Sequence, residues 1–264
     1  MPGIPCSSEP DSLMTTFNNS PVQVWQQSTV SLGSADIELL SQHLSPEERV
    51  RAARFVQPRD RRDFVAAHAL LRRALSSLCD GTATEQSWRL DADEHGKPTV
   101  TRDDLARERI TCSLSHTRGL VACAVMEGDG CVGIDVEEIA IAADLRSVAA
   151  RYFSALEAAA LEEIEPSQFN DRFTELWTLK EAYLKALGIG LAEPLTSFSF
   201  AFDPDSRLRF IPPRMVDSRE WSFTLAIPSD GYRLAVAIRS FGVCSPSISW
   251  RSLGGPSAVI IRRT

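Results

Sequence analysis

Two short stretches hold residues whose types and spacing suit phosphate or metal chemistry. In Gly133-Ile134-Asp135-Val136-Glu137-Glu138, strand alternation puts Asp135 and Glu137 on one face. Two carboxylates projecting together repel unless a cation or a strong donor neutralises them. Hard oxygen ligands of this kind suit Mg²⁺, which binds through a few carboxylates plus substrate phosphates. An isolated Asp-x-Glu is also the ordinary composition of a solvated strand end. The second stretch is Trp177-Thr178-Leu179-Lys180-Glu181-Ala182-Tyr183-Leu184-Lys185. Glu181 and Lys185 lie four apart and share a helix face. Spacing alone allows either an exposed ion pair or a third metal carboxylate beside a phosphate contact.

A third feature is basic. Between Arg49 and Arg62 stand six arginines (Arg49, Arg51, Arg54, Arg59, Arg61, Arg62) and a single acid, Asp60. Such a run is usually a solvated helix face. In a chain with 28 Lys+Arg against 35 Asp+Glu, net −7, a window of +5 is also a candidate anion site, because guanidinium forks match phosphate oxygens. His116 stands at a strand end beside a turn, where a phosphate contact is favoured. His43, His68 and His95 show no ligand spacing.

These residues need elements to hold them. Phe64, Ala67, Leu71, Leu75 and Leu78 recur at helical spacing after Pro58, with Gly81 as a stop. A second long helix is expected from about Phe169 to Leu187, ending near Gly188 and Gly190. Ser45-Pro46-Glu47-Glu48 and Ser154-Ala155-Leu156-Glu157 are both capping boxes opening shorter helices. At an offset of 109 residues Ser45 falls on Ser154, Phe64 on Phe173, Leu70 on Leu179, Leu75 on Leu184 and Gly81 on Gly190. Matched caps and glycines point to a duplicated α/β unit. Strand-like runs at Ile110–Ser115 and Leu120–Met126 flank a turn, Cys131–Val136 follows, and Trp221–Ile227 and Tyr232–Ile238 form a second hairpin. The expected organisation is a flexible leader over 1–19, an N-terminal half over 20–125, a C-terminal half over 126–245 carrying the metal site, and a loose tail over 246–264.

Composition removes several classes of function. At 44% hydrophobic and 24% charged residues, the chain is neither disordered nor fibrous. Its acidic balance argues against nonspecific nucleic-acid binding, which needs a basic surface. No run approaches the apolar length of a membrane helix, and the N-terminus lacks a signal-peptide pattern. Six cysteines without CxxC spacing read as reduced thiols of a cytoplasmic protein, with neither zinc nor disulfides.

The two acidic motifs taken together are more specific than either alone. Gly-Ile-Asp-Val-Glu followed some forty residues later by Trp-x-x-Lys-Glu-Ala-x-x-Lys resembles the paired motifs of the 4′-phosphopantetheinyl transferases. Length and duplication resemble the surfactin-synthetase-activating type, a pseudo-dimer of two similar α/β (α+β) subdomains in one chain. The resemblance implies transfer of the phosphopantetheine arm of coenzyme A to a serine of an apo acyl or peptidyl carrier protein, releasing adenosine 3′,5′-bisphosphate. It implies Mg²⁺ held by Asp135, Glu137 and Glu181 against the pyrophosphate. Glu181 is implied also as acceptor of the serine proton, directly or through a metal-bound water, and Lys185 as a contact to the phosphates and the departing bisphosphate. Arg51 and Arg59 align with positions that reach the nucleotide 3′-phosphate. His95-Gly96-Lys97-Pro98 resembles a Gly-Lys-Pro whose lysine contacts the nucleotide, and Ser113-Leu114-Ser115-His116 resembles a segment lining the phosphate site. Lys180 is left between a structural and a solvent-facing role, and Trp177 reads as packing. The partners implied are coenzyme A and the carrier, with no nucleic acid and no membrane, for a monomer.

Two other readings are weighed against this one. A noncatalytic coenzyme A- or carrier-binding protein on the same scaffold would be favoured by loss of a metal carboxylate or of Lys185, and all are present. A Mg²⁺-dependent phosphohydrolase would transfer to water, but no hydrolase motif accompanies the acids.

Overall fold

The structure, a computed structural model, describes residues 21–264 except 80–82, 95, 102–108, 140, 142–143, 204–206, 242–245 and 255–257. The expected leader, Gly81 and His95 therefore lie outside the described residues. The first half runs β1 (Val22–Ser28), α1 (Ser34–Ser41), α2 (Pro46–Ala53), α3 (Pro58–Ser77), the hairpin β2 (Arg89–Ala92) and β3 (Pro98–Thr101), β4 (Ile110–Thr117) and β5 (Leu120–Glu127). The second repeats that order with β6 (Gly130–Glu138), α4 (Leu145–Tyr152), α5 (Ala155–Glu162), α6 (Pro166–Leu187), the hairpin β7 (Ser199–Phe202) and β8 (Leu208–Ile211), β9 (Trp221–Ile227) and β10 (Tyr232–Ser240). The sheets repeat too, since β1-β5-β4 in one corresponds to β6-β10-β9 in the other.

The 246–264 stretch corrects the expected tail. It forms β11 (Ile248–Leu253), parallel to β1, and β12 (Val259–Arg263), antiparallel to β9. Its Ser, Gly and Pro content suggested a loose end, but two edge strands of five and six residues are too short to announce themselves by alternation. Backbone pairing with an existing sheet supplies what side-chain pattern does not.

Alternation along the central strands sorts the side chains into layers. Leu120, Ala122, Ala124 and Met126 of β5 meet Val132, Ile134 and Val136 of β6 in a core between the two sheets. The opposite face of β5, with Val121, Cys123 and Val125, packs on Leu70, Leu71 and Leu75 of α3. In the second half Ala235 and Ala237 of β10 face Leu179 and Ala182 of α6. The order of layers is thus helix, sheet, sheet, helix. The odd residues of β6, Gly133, Asp135 and Glu137, are turned to the α6 side by the same alternation.

Both capping boxes form, with Ser45 Oγ accepting from Glu48 N at 3.2 Å and Ser154 Oγ from Glu157 N at 3.3 Å. Each capping glutamate also neutralises a buried cation from the long helix of its half. Arg72 Nε donates to Glu48 at 2.7 Å while its Nη1 donates to the carbonyls of Glu85 and Trp88. Lys180 Nζ lies 2.8 Å from Glu157 and donates to the carbonyls of Leu195 and Phe198 at 2.7 and 2.8 Å. The role left open for Lys180 is therefore structural: its ammonium is fully buried and uses all three protons. Burial lowers its proton affinity, and Glu157 offsets this. Replacing Glu157 by Ala leaves that ammonium without its counter-charge and should cost about 3–5 kcal/mol of unfolding free energy. Chemical denaturation measures it, and a loss below about 1 kcal/mol would contradict the account.

Candidate functional site

The carboxylate face of β6 meets the last turns of α6 and the end of β4. Asp135, only 2% exposed, accepts from Ser115 Oγ at 2.9 Å and from Lys185 Nζ at 2.7 Å, both on Oδ1. Lys185 Nζ also donates to Ser115 Oγ at 2.9 Å. Ser115 Oγ further accepts the Val136 N–H at 3.3 Å, so its one donor and two acceptor positions are all used. Ser115 is thus a strut joining β4 to Asp135 and Lys185. Lys185 keeps about a third of its side chain exposed and commits two of its three protons to these bonds.

Three acids crowd this point. Burial, then the charge of Asp135, pushes Glu137 up to about 7, against the pull of Lys185 and a hydrogen bond from Thr117. Glu181 is raised by burial and by Asp135 as well, with Lys185 opposing. The folded chain therefore binds a proton at Glu137 that the unfolded chain releases between pH 4.5 and about 7. With the folded-state value raised, this group's stabilising contribution is full on the acid side and is lost as pH rises through that window. In metal-free protein, Glu137→Gln should remove this part of the pH dependence. The test compares unfolding free energies of the two proteins from pH 5 to 8, and parallel curves would refute the assignment.

Asp135 Oδ2 is buried and has no hydrogen-bond partner among the described residues. An unpaired carboxylate oxygen beside two acids held above their usual range is a donor set suited to a hard cation. Among the described residues no group of three or more His, Cys, Asp or Glu side chains is arranged to hold a metal by itself. Asp135, Glu137 and Glu181 are thus neighbours that influence one another, not a closed cage. That fits an ion such as Mg²⁺, which takes one or two protein carboxylates and fills its shell with water and phosphate oxygens.

Gly133 explains how α6 comes so close. A Cβ there would lie 2.0 Å from the Ala182 carbonyl oxygen and 2.3 Å from Ala186 N, both backbone atoms of α6. The helix can rest on the strand only because residue 133 has no side chain.

The basic residues divide. A cavity of about 410 Å³ is lined by Arg59, His116, Thr117 and Arg118, by the rings of Phe55 and Phe64, and by Asp60 and Asp63. The acids in this wall are partly neutralised: Asp60 faces Arg59 at 3.3 Å, and Asp63 is bonded to Thr29 and lies 3.6 Å from Arg62. Partial burial holds His116 below the usual histidine range, so it enters the cavity as a neutral ring at pH 7. Arg51 stacks over Phe64 at 5.1 Å, placing it behind the same wall. Lys97 is elsewhere: its Nζ donates to the Ala186 carbonyl at 2.6 Å, and its stem fills the space beside Gly188, which ends α6 in the left-handed region at φ 71°. Burial lowers its proton affinity. A second hollow of about 240 Å³ runs beside Glu137 and Glu138 and is walled by Leu145, Val148, Phe173 and Trp177. Trp177 stacks on Phe173 at 6.2 Å, so it packs, as expected, and also lines this slot.

Sequence reasoning gave Ser113 only as part of a segment resembling a phosphate-site lining, and missed Thr117 and the apolar slot. The signal for the two hydroxyls was present: Ser113, Ser115 and Thr117 put a hydroxyl at every second position of β4.

Comparison with known proteins adds an independent line. Residues 131–237 match the 4′-phosphopantetheinyl transferase superfamily, and residues 29–127 match the family described as 4′-phosphopantetheinyl transferase, N-terminal. The 4′-phosphopantetheinyl transferase HetI of Nostoc is 33% identical over 229 residues, covering 86% of this chain and 91% of its own. The 4′-phosphopantetheinyl transferase Sfp of Bacillus subtilis is 28% identical over 206 residues, covering 78% and 86%. A holo-(acyl-carrier-protein) synthase of Bacillus anthracis, solved with CoA (3′,5′-ADP), matches 41% of this chain and 94% of its own at 20% identity and a TM-score of 0.36.

Proposed function

The chain belongs to the 4′-phosphopantetheinyl transferase superfamily, and from that premise we propose how it moves the 4′-phosphopantetheine arm of coenzyme A onto a carrier-protein serine, with Asp135, Glu137, Glu181 and Lys185 as its working groups. The observation that carries the assignment is Asp135, with one oxygen held by Ser115 and Lys185 and the other buried and unpaired. In the transfer, serine Oγ attacks the β-phosphorus of the coenzyme A pyrophosphate. The bond from that phosphorus to the bridging oxygen breaks, and the oxygen leaves on adenosine 3′,5′-bisphosphate. Glu181, held above the usual carboxylate range, accepts the serine proton. Lys185 offers a fixed positive charge to the leaving phosphate. Asp135, Glu137 and Glu181 would hold Mg²⁺, which would supply charge neutralisation for the pyrophosphate oxygens.

The remaining residues bind and orient. Arg59, His116 and Arg118 line the cavity and hold the nucleotide phosphates, with Arg51 adding charge from behind Phe64. The apolar slot beside Glu137 suits the uncharged pantetheine chain. Lys97 keeps α6 in place at its carboxyl end, and any contact it makes with the nucleotide is made from there. The same reading makes the protein a cytoplasmic monomer. Support comes from the free thiols at Cys79, Cys112, Cys123 and Cys131, from the absence of a membrane-length apolar helix among the described residues, and from a second half built on the plan of the first.

Purified chain, coenzyme A and Mg²⁺ are mixed with apo carriers of the fatty-acid, polyketide and nonribosomal-peptide types. Intact mass should rise by one phosphopantetheine unit on at least one carrier. Coenzyme A binding without any mass change would instead support the noncatalytic binding protein.

A further inference from the structure

β4 and β6 are outer strands of their respective sheets, so each carries a row of backbone groups with no strand partner on one side. Buried N–H groups of that kind must be paired. Where the two edges meet, every second residue of β4 supplies a hydroxyl oxygen to a backbone N–H of β6. Ser113 Oγ accepts from Ile134 at 3.1 Å, Ser115 Oγ from Val136 at 3.3 Å, and Thr117 Oγ1 from Glu138 at 3.3 Å. The donors alternate with Asp135 and Glu137, so each carboxylate-bearing residue sits between two fixed rungs.

This pairing is specific in register. A slip of one residue would set Leu114 and His116 against the same N–H groups and leave them unpaired. The rungs also join the two parts of the site. His116 and Thr117 belong to the cavity wall of the first half, and Asp135 and Glu137 to the acid face of the second.

We infer that Ser113, Ser115 and Thr117 form a hydroxyl rail that sets the offset between the anion cavity and the carboxylates, with Ser113, which touches neither hollow, as the positioning residue for the transfer. The inference rests on the function proposed above. Coenzyme A needs both halves at once: its nucleotide phosphates use the cavity, and its pyrophosphate uses the acids. A ligand of one half alone has no use for the offset. Ser113 is 2% exposed and lines neither the cavity nor the slot, so its hydroxyl reaches the ligand only through β6.

Calorimetric titration separates these roles. Ser113→Ala should weaken binding of coenzyme A with Mn²⁺ at least tenfold. Adenosine 3′,5′-bisphosphate alone and Mn²⁺ alone should each bind within twofold of wild type. Ser113→Cys, close in size but a much weaker acceptor for the Ile134 N–H, should lose coenzyme A affinity in the same selective way, which keeps the test open if Ser113→Ala folds poorly. An equal loss for all three ligands would mean general damage and overturn the rail, as would unchanged coenzyme A binding in both variants. A wild-type chain that binds no coenzyme A defeats the functional reading itself. A wild-type chain that binds it, beside variants that bind it equally well, defeats the rail alone.

Discussion

Gly133→Ala should unfold or distort the second half and reduce transfer at least a hundredfold. The added methyl would stand 2.0 Å from a carbonyl oxygen and 2.3 Å from an amide nitrogen of α6, with Ala186 Cα at 2.9 Å. These are backbone atoms, so no side-chain rotation relieves the clash. The helix must move away from β6, opening the contacts of Leu179, Ala182 and Ala186 with β10 and the aromatic cluster around Tyr183. Overpacking a well-filled core typically costs about 1–3 kcal/mol, and a rigid backbone neighbour places this case at or above the upper end. The functional loss comes from the same displacement. Glu181 and Lys185 ride on α6, whereas Asp135 rides on β6, so a shift of roughly an ångström misplaces two groups against the third. Thermal melts and kcat/KM measured together check this, and wild-type values in both would refute the close-packing account. Gly133 therefore belongs to the acidic motif for a steric reason, although it carries no chemistry.

Much of this arrangement is readable in the sequence. Period-two alternation placed Asp135 and Glu137 on one face, and that face is the one turned to α6. The four-residue spacing put Glu181 and Lys185 together, and the repeated Ser-x-x-Glu caps revealed the duplication. These features are local, and local geometry is what sequence spacing encodes. The rest depends on contacts far apart in the chain. Lys185 finds Ser115 seventy residues away and Lys97 finds Ala186 eighty-nine away, and no periodicity foretells such partners. Lys180 was ambiguous for the same reason. Its position on α6 follows from helical spacing, but its burial depends on where Leu195 and Phe198 leave their carbonyls. The cavity was legible as an arginine run, yet only the fold distinguishes Arg59 in its wall from Arg51 stacked behind it.

Asp135→Asn and Glu181→Gln should lower transfer on the order of 10³-fold, the scale of losing a group that stabilises transition-state charge. For Glu181→Gln the effect on stability should be the reverse of Gly133→Ala. Burial and Asp135 both raise Glu181, so its charge opposes the fold at neutral pH. A neutral amide of the same shape removes that repulsion, and Glu181→Gln should melt at or above the wild-type temperature in metal-free buffer. Asp135→Asn keeps an oxygen for Ser115 and Lys185 but weakens the charged bond to Lys185, so its melting temperature should change less than its activity. A site assembled for chemistry holds like charges together at the expense of stability, and removing one charge should trade activity for a firmer fold. Purified variants compared by carrier mass shift and by melting decide the matter. Activity near wild type in either would end the metal and proton-acceptor assignments. Activity lost together with a collapsed melting temperature would make these acids structural, and the site would then have to be sought elsewhere.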